Sequence, residues 1–197
     1  MLSVLIIRHG ATAGSARRAY SGGGTDEPLS RAGAAALACI EPDPSVRRAY
    51  TSGMARADET ARILFPNARL SRVRDLREMD FGIFEGKTFR DLADDARYCA
   101  WVEANCEPVC PEGEGKLAFI ARVTRAFYGI CADEERAGQR RVVLVVHAGT
   151  IRAILSELAR PRMGYFDVET EPGGAWEATW DGERLACVRA ARGAHLR

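Results

Sequence analysis

The chain has 197 residues, and at roughly 100–200 residues per domain this predicts one domain with room for a small cap. Lys+Arg number 28 against 27 Asp+Glu, so the formal net charge of +1 excludes the basic excess of a protein that neutralises nucleic-acid phosphates. With 47% hydrophobic and 28% charged residues, the chain is a folded globular one that needs no disulfide framework or structural metal to build its core.

Residues 2–7 form a short apolar run that stops at Arg8, the pattern of a buried strand. The cluster Gly22-Gly23-Gly24 predicts a loop. Residues 30–40 are Ala-rich, open on Ser30 as an N-cap and end before Pro42, which predicts a helix. A second short strand ends at Tyr50-Thr51-Ser52, and 54–65 has helical spacing. Residues 75–115 are irregular and partly helical, and are expected as a cap-like insertion over one end of the sheet. A long helix is predicted over 116–136, with Leu117, Ile120, Val123, Ala126, Phe127 and Ile130 on one face. Residues 142–146 are the most strand-like stretch and lead into a helix over about 150–159. The tail predicts a β-hairpin, 176–180 with 185–188 around Asp181-Gly182. Strands alternating with helices predict an α/β fold, a three-layer sandwich with a mainly parallel central sheet flanked by helices.

No apolar run approaches the ~18 residues that would span a bilayer. The opening MLSVLII lacks the basic region of a secretion signal, so the expected compartment is the cytoplasm. The six cysteines are expected as free thiols there. Cys106 and Cys110 lack the paired spacing of a zinc site, and no metal is expected.

Ligands of an open α/β sheet bind beyond the carboxyl ends of its strands. Three such ends carry polar residues: Arg8-His9-Gly10, then Ser52 with Arg56, then His147-Ala148-Gly149. Taken singly, Arg56 beside Asp58 and Glu59 fits a solvated ion pair, and His147 fits a core histidine. Brought together, two guanidinium forks and two imidazoles suit a phosphoryl group, and a neutral imidazole can attack phosphorus.

These residues also lie in five ordered segments: IIRHGAT, TDEPLSRAG at 25–33, YTSGMARADETA at 50–61, LREMDFGIFEG at 76–86 and VVHAGTIRAIL at 145–155. Together they resemble the histidine phosphatases, the superfamily that includes the cofactor-dependent phosphoglycerate mutases, whose fold is then expected here. The resemblance implies His9 as the nucleophile that becomes phosphorylated. Arg8, Arg56 and His147 would complete the phosphate pocket, and Glu78 would be the proton donor. Taken alone, Glu78 near Arg74 and Arg77 fits a surface carboxylate. Thr12, Ser15, Ser21, Gly22 and Ala148 are implied substrate contacts, with Ser15 standing where the family often has Asn. PEGEG at 111–115 lacks the family's Ser, and Glu114 is placed near the pocket as the next candidate acid. No cofactor is implied.

The chain has no room for the long insertion of the mutases, so hydrolysis is expected. RRAYSGGGTDEPLS at 17–30 most resembles the α-ribazole phosphatases, which remove the 5′-phosphate of α-ribazole in cobalamin assembly. The alternatives are a broad-specificity sugar-phosphate phosphatase, a mutase-type enzyme, or a non-catalytic phosphate-binding module. The expected partner is a small phosphate ester, with no nucleic acid and no membrane, and the protein is expected as a monomer or homodimer.

Overall fold

The computed structural model describes residues 1–191. Six strands form one sheet: β1 (Leu2–Arg8), β2 (Arg48–Thr51), β3 (Arg69–Arg72), β4 (Arg141–Val146), β5 (Ala175–Trp180) and β6 (Leu185–Ala191). Their order is β3-β2-β4-β1-β5-β6. The first four are parallel to one another, while β5 and β6 add an antiparallel hairpin against β1. The near-continuous apolar run of β4 follows from this placement, because a central parallel strand is covered on both faces. Val142, Leu144 and Val146 face one core and Val143 and Val145 the other.

Six helices lie in the connections: α1 (Ala13–Ala16), α2 (Arg31–Ala38), α3 (Ala55–Leu64), α4 (Ala96–Glu103), α5 (Lys116–Arg136) and α6 (Ala148–Leu158). Leu37 of α2 and Ala57, Ala61 and Leu64 of α3 pack on one face. On the other, α5 and α6 contribute Phe119, Val123, Phe127, Ile151 and Ile154, giving the expected three layers. Residues 73–115 contain no strand and bring Leu76, Phe84, Tyr98 and Trp101 to this second core. Among the described residues no helix is long and apolar enough to cross a membrane.

Three features depart from the sequence reading. The edge strand β3 has the sequence RLSR, which carries no apolar alternation; its backbone pairs with β2 alone. Helix α6 starts at Ala148 with His147 as its N-cap, two residues earlier than predicted, so its first turn faces the site. The apolar face of α5 runs through Phe119, Val123, Phe127 and Ile130, and Leu117 is 75% exposed. Two residues from Phe119 is about 200° around a helix, so Leu117 cannot share that face. Phe119→Ala should therefore cost about 3–5 kcal/mol in denaturant unfolding. Leu117→Ala should stay within about 0.5 kcal/mol of wild type.

Candidate active site

Strand register sets the centre of the site. Arg8 pairs with Val146, and Thr51 with Val145, so the residues just past these pairs are neighbours in space. His9 donates its backbone N–H to Val146 O at 2.9 Å, and the His9 and His147 ring centroids are 5.1 Å apart. Ser52, one residue past Thr51, places its hydroxyl 2.8 Å from His147 Nε2. The three predicted strand ends do converge.

The two imidazoles are 4% and 0% exposed, and their partners fix opposite tautomers. Nδ1 of His9 lies 2.7 Å from Gly10 O, which can only accept, so Nδ1 carries the proton and Nε2 keeps its lone pair. Nδ1 of His147 accepts from Arg56 Nε at 3.2 Å, so its proton sits on Nε2 and goes to Ser52 Oγ. Burial, then the nearby Arg56 guanidinium, lowers the His9 pKa to about 3, against the opposing effect of the Gly10 carbonyl. Burial and Arg56 also hold His147 well below the ordinary imidazole value. Both rings are therefore neutral.

A cavity of about 560 Å³ opens over His9. Of the predicted site residues, Arg8, His9, Ser15, Ser21, Glu78 and Ala148 line it. Arg8 donates Nη1–H to Thr170 O at 2.6 Å, while its buried Nε has no protein acceptor. Glu78 is 7% exposed; one carboxylate oxygen accepts the Gly149 N–H at 2.8 Å and the other the Met79 N–H at 3.0 Å. This places the Glu78 carboxyl against the first turn of α6, with each oxygen held by a backbone N–H.

Other predicted residues stand behind the wall. Arg56 is fully buried and donates to Thr25 O at 2.6 Å, Ser21 O at 3.2 Å and Gly22 O at 3.1 Å, besides His147. It ties the 21–25 loop to the histidine pair. Thr12 caps α1 and gives its hydroxyl to Glu27 at 2.6 Å; Ser21 gives its own to the same oxygen at 2.8 Å. The Gly22 N–H goes to Glu85 at 2.9 Å, and a Cβ there would meet Met79 O at 2.2 Å. Thr12 and Gly22 thus shape the loop, with their donors already engaged. Glu114 is not on this cavity: it forms a two-pronged ion pair with Arg122, at 2.7 and 2.8 Å, and lines a second cavity.

The sequence reading missed the outer wall. Arg18, Lys116 and Arg152 add positive charge, and Tyr20, Phe81, Trp101, Tyr165 and Phe166 add aromatic surface. Arg18, Tyr20, Phe81 and Arg152 lie within the motif segments without having been singled out, while Trp101, Lys116, Tyr165 and Phe166 lie where no local pattern marks a pocket. Among the described residues no group of three or more His, Cys, Asp or Glu side chains converges in a metal-binding arrangement.

Residues 4–192 match the histidine phosphatase superfamily (branch 1). The chain belongs to this family. A relative is the adenosylcobalamin/α-ribazole phosphatase of Escherichia coli K12, 29% identical over 93% of this chain and 92% of that protein. The crystal structure of the α-ribazole phosphatase from Shigella flexneri superimposes with a TM-score of 0.80 at 25% identity, covering 98% of each chain. That of a phosphoglycerate mutase from Thermus thermophilus gives 0.72 at 28%, over 97% of this chain and 100% of the other. The fold is thus the phosphoglycerate mutase-like one that the motifs implied.

Two outcomes follow from this geometry. Unfolded, His9 takes up a proton near 6.5; folded, it resists down to about 3. Its contribution to stability is therefore complete above pH 6.5 and is lost as pH falls from there toward 3. His9→Gln should flatten the acid decline of the unfolding free energy in that window, by up to about 1.4 kcal/mol per pH unit, as read by denaturant unfolding at a series of pH values. In Gly149→Ala, the new Cβ would stand 2.2 Å from a Glu78 carboxylate oxygen. The end of a flexible side chain can move, so Tm should change little while a crystal structure shows the carboxylate off the first turn of α6.

Proposed function

We propose that this protein hydrolyses a small phosphate monoester through a phosphoryl group carried on Nε2 of His9. The observation that carries the reading is the bond from His9 Nδ1–H to Gly10 O, which leaves Nε2 as the lone-pair atom of a neutral ring. In the first step Nε2 attacks phosphorus in line, the P–N bond forms, and the P–O bond to the alcohol breaks. Glu78 gives its proton to the departing oxygen. In the second step Glu78 takes a proton from water as the water oxygen attacks phosphorus, and breaking of the P–N bond returns neutral His9 and inorganic phosphate. Arg8 supports the equatorial oxygens, whose charge grows along the path. His147 and Arg56 act from behind, holding one another and the 21–25 loop.

The substrate we favour is the 5′-phosphate of α-ribazole. Its support is the likeness to proteins of that name over nearly the full chain, together with an aromatic outer wall that suits a base-bearing ribose better than a three-carbon acid. The reading includes a cytoplasmic setting, which free thiols at all six cysteines suit.

The test compares leaving groups by kcat/KM. His9→Ala should abolish turnover of every ester. Glu78→Gln should cost about 10²–10⁴-fold on an alkyl phosphate, whose alcohol needs the proton, and far less on p-nitrophenyl phosphate. Among substrates, α-ribazole 5′-phosphate should exceed 3-phosphoglycerate and ribose 5-phosphate. An unrelated ester turned over as well would remove the ribazole assignment and leave the phosphatase.

A further inference from the structure

Glu78 sits in a segment with almost no structure of its own. Only one turn of 3₁₀ helix, Arg74–Leu76, precedes it, so the carbonyls that follow have no ladder partners. Each carbonyl from 75 to 80 instead accepts a bond from another part of the chain. Thr150 Oγ1 donates to Leu76 O at 3.1 Å, Gly23 N to Met79 O at 2.9 Å and Glu114 N to Asp80 O at 2.8 Å. The other three belong to one side chain: Arg122 reaches Asp75 O at 2.8 Å, Arg77 O at 2.9 Å and Glu78 O at 3.0 Å.

The guanidinium is itself held. Its Nε and Nη2 grip both oxygens of Glu114, and its plane lies over the Phe119 ring, 4.9 Å from the centroid. With two bonds to Glu114 and three to carbonyls, all five N–H donors are used. We propose that Arg122, clamped by Glu114, is the positioning residue that fixes Glu78 over His9 for proton donation. The inference rests on the reading of Glu78 as the acid. Arg122 touches neither substrate nor reacting atoms; it sets the main chain from which the carboxyl is delivered. A Lys at this position has three donors on a point charge and cannot serve Glu114 and three carbonyls at once.

The experiment measures kcat/KM, which covers the steps through departure of the alcohol, for wild type, Glu78→Gln, Arg122→Lys, Glu114→Gln and the double variant Glu78→Gln/Arg122→Lys. The esters are ribose 5-phosphate and p-nitrophenyl phosphate, and the inhibition constant of inorganic phosphate is followed beside them. Misplacing a reacting group by about 1 Å costs on the order of 10²-fold. Arg122→Lys should accordingly lose about 10–100-fold on ribose 5-phosphate and less than about threefold on p-nitrophenyl phosphate, with phosphate inhibition unchanged. In the Glu78→Gln background it should add no further bias between the esters. Glu114→Gln, which keeps Arg122 and loosens its clamp, should show the same bias more weakly, and it decides the question if Arg122→Lys does not fold. Equal losses on both esters for the two clamp variants, with Glu78→Gln still selective, would overturn the inference and leave Glu78 as the acid. Loss of selectivity in Glu78→Gln itself would overturn the acid reading and the positioning role with it.

Discussion

The pairing of β1 with β4 is the constraint on which the site depends. Because Arg8 lies opposite Val146, the next residue on each strand is a histidine, and the two rings are driven within 5.1 Å of one another beneath the protein surface. Two buried imidazoles so close, with Arg8 and Arg56 beside them, cannot both carry charge. The neutral pair is therefore a consequence of register and burial. The backbone carbonyl of Gly10 and the guanidinium of Arg56 then decide which nitrogen of each ring bears the proton. One imidazole is left with a lone pair at the cavity, and the other is spent on holding its neighbours.

Around this rigid pair the walls are irregular backbone, and a few charged side chains supply the partners that irregular backbone lacks. Glu27 collects the Thr12 and Ser21 hydroxyls and the Gly14 N–H. Glu85 accepts from the N–H groups of Gly22, Gly24 and Phe81 and from the Thr25 hydroxyl. Arg122 does the reverse, giving three donors to carbonyls of the segment that carries Glu78. Carboxylates thus gather the N–H and O–H groups of the 12–25 loop, and a guanidinium gathers the carbonyls of 75, 77 and 78. Charge-assisted bonds of this kind are stronger than neutral ones, and they fix loops without secondary structure.

What the sequence made legible follows the same division. Continuous apolar runs marked β1 and β4, and polar residues right after them marked the strand ends, because burial on two faces leaves a strong local pattern. The strand β3 left none, since an edge strand is held by its backbone to a single neighbour. Leu117 was misjudged because it stands three residues before Ile120, a helical step, while tertiary packing phases α5 on Phe119. Thr12 and Gly22 belong to motif segments that surround the cavity, yet their bonds run to Glu27 and Glu85. Arg122 stands 44 residues from Glu78, and a side chain that reaches carbonyls at such separation has no signature in residue type or spacing.

The charge distribution explains how a chain of net charge +1 can hold a cation-rich cavity. Arg8, Arg18, Lys116 and Arg152 line one cavity whose acidic members are Glu78 and Glu171. Local field in a concave site depends on the groups within a Debye length, about 8 Å at physiological salt, and hardly on the rest of the surface. A small ester entering the cavity meets several cations at once. The shape of the cavity thus concentrates those cations around His9, a neutral imidazole whose Nδ1–H is already bound to Gly10 O.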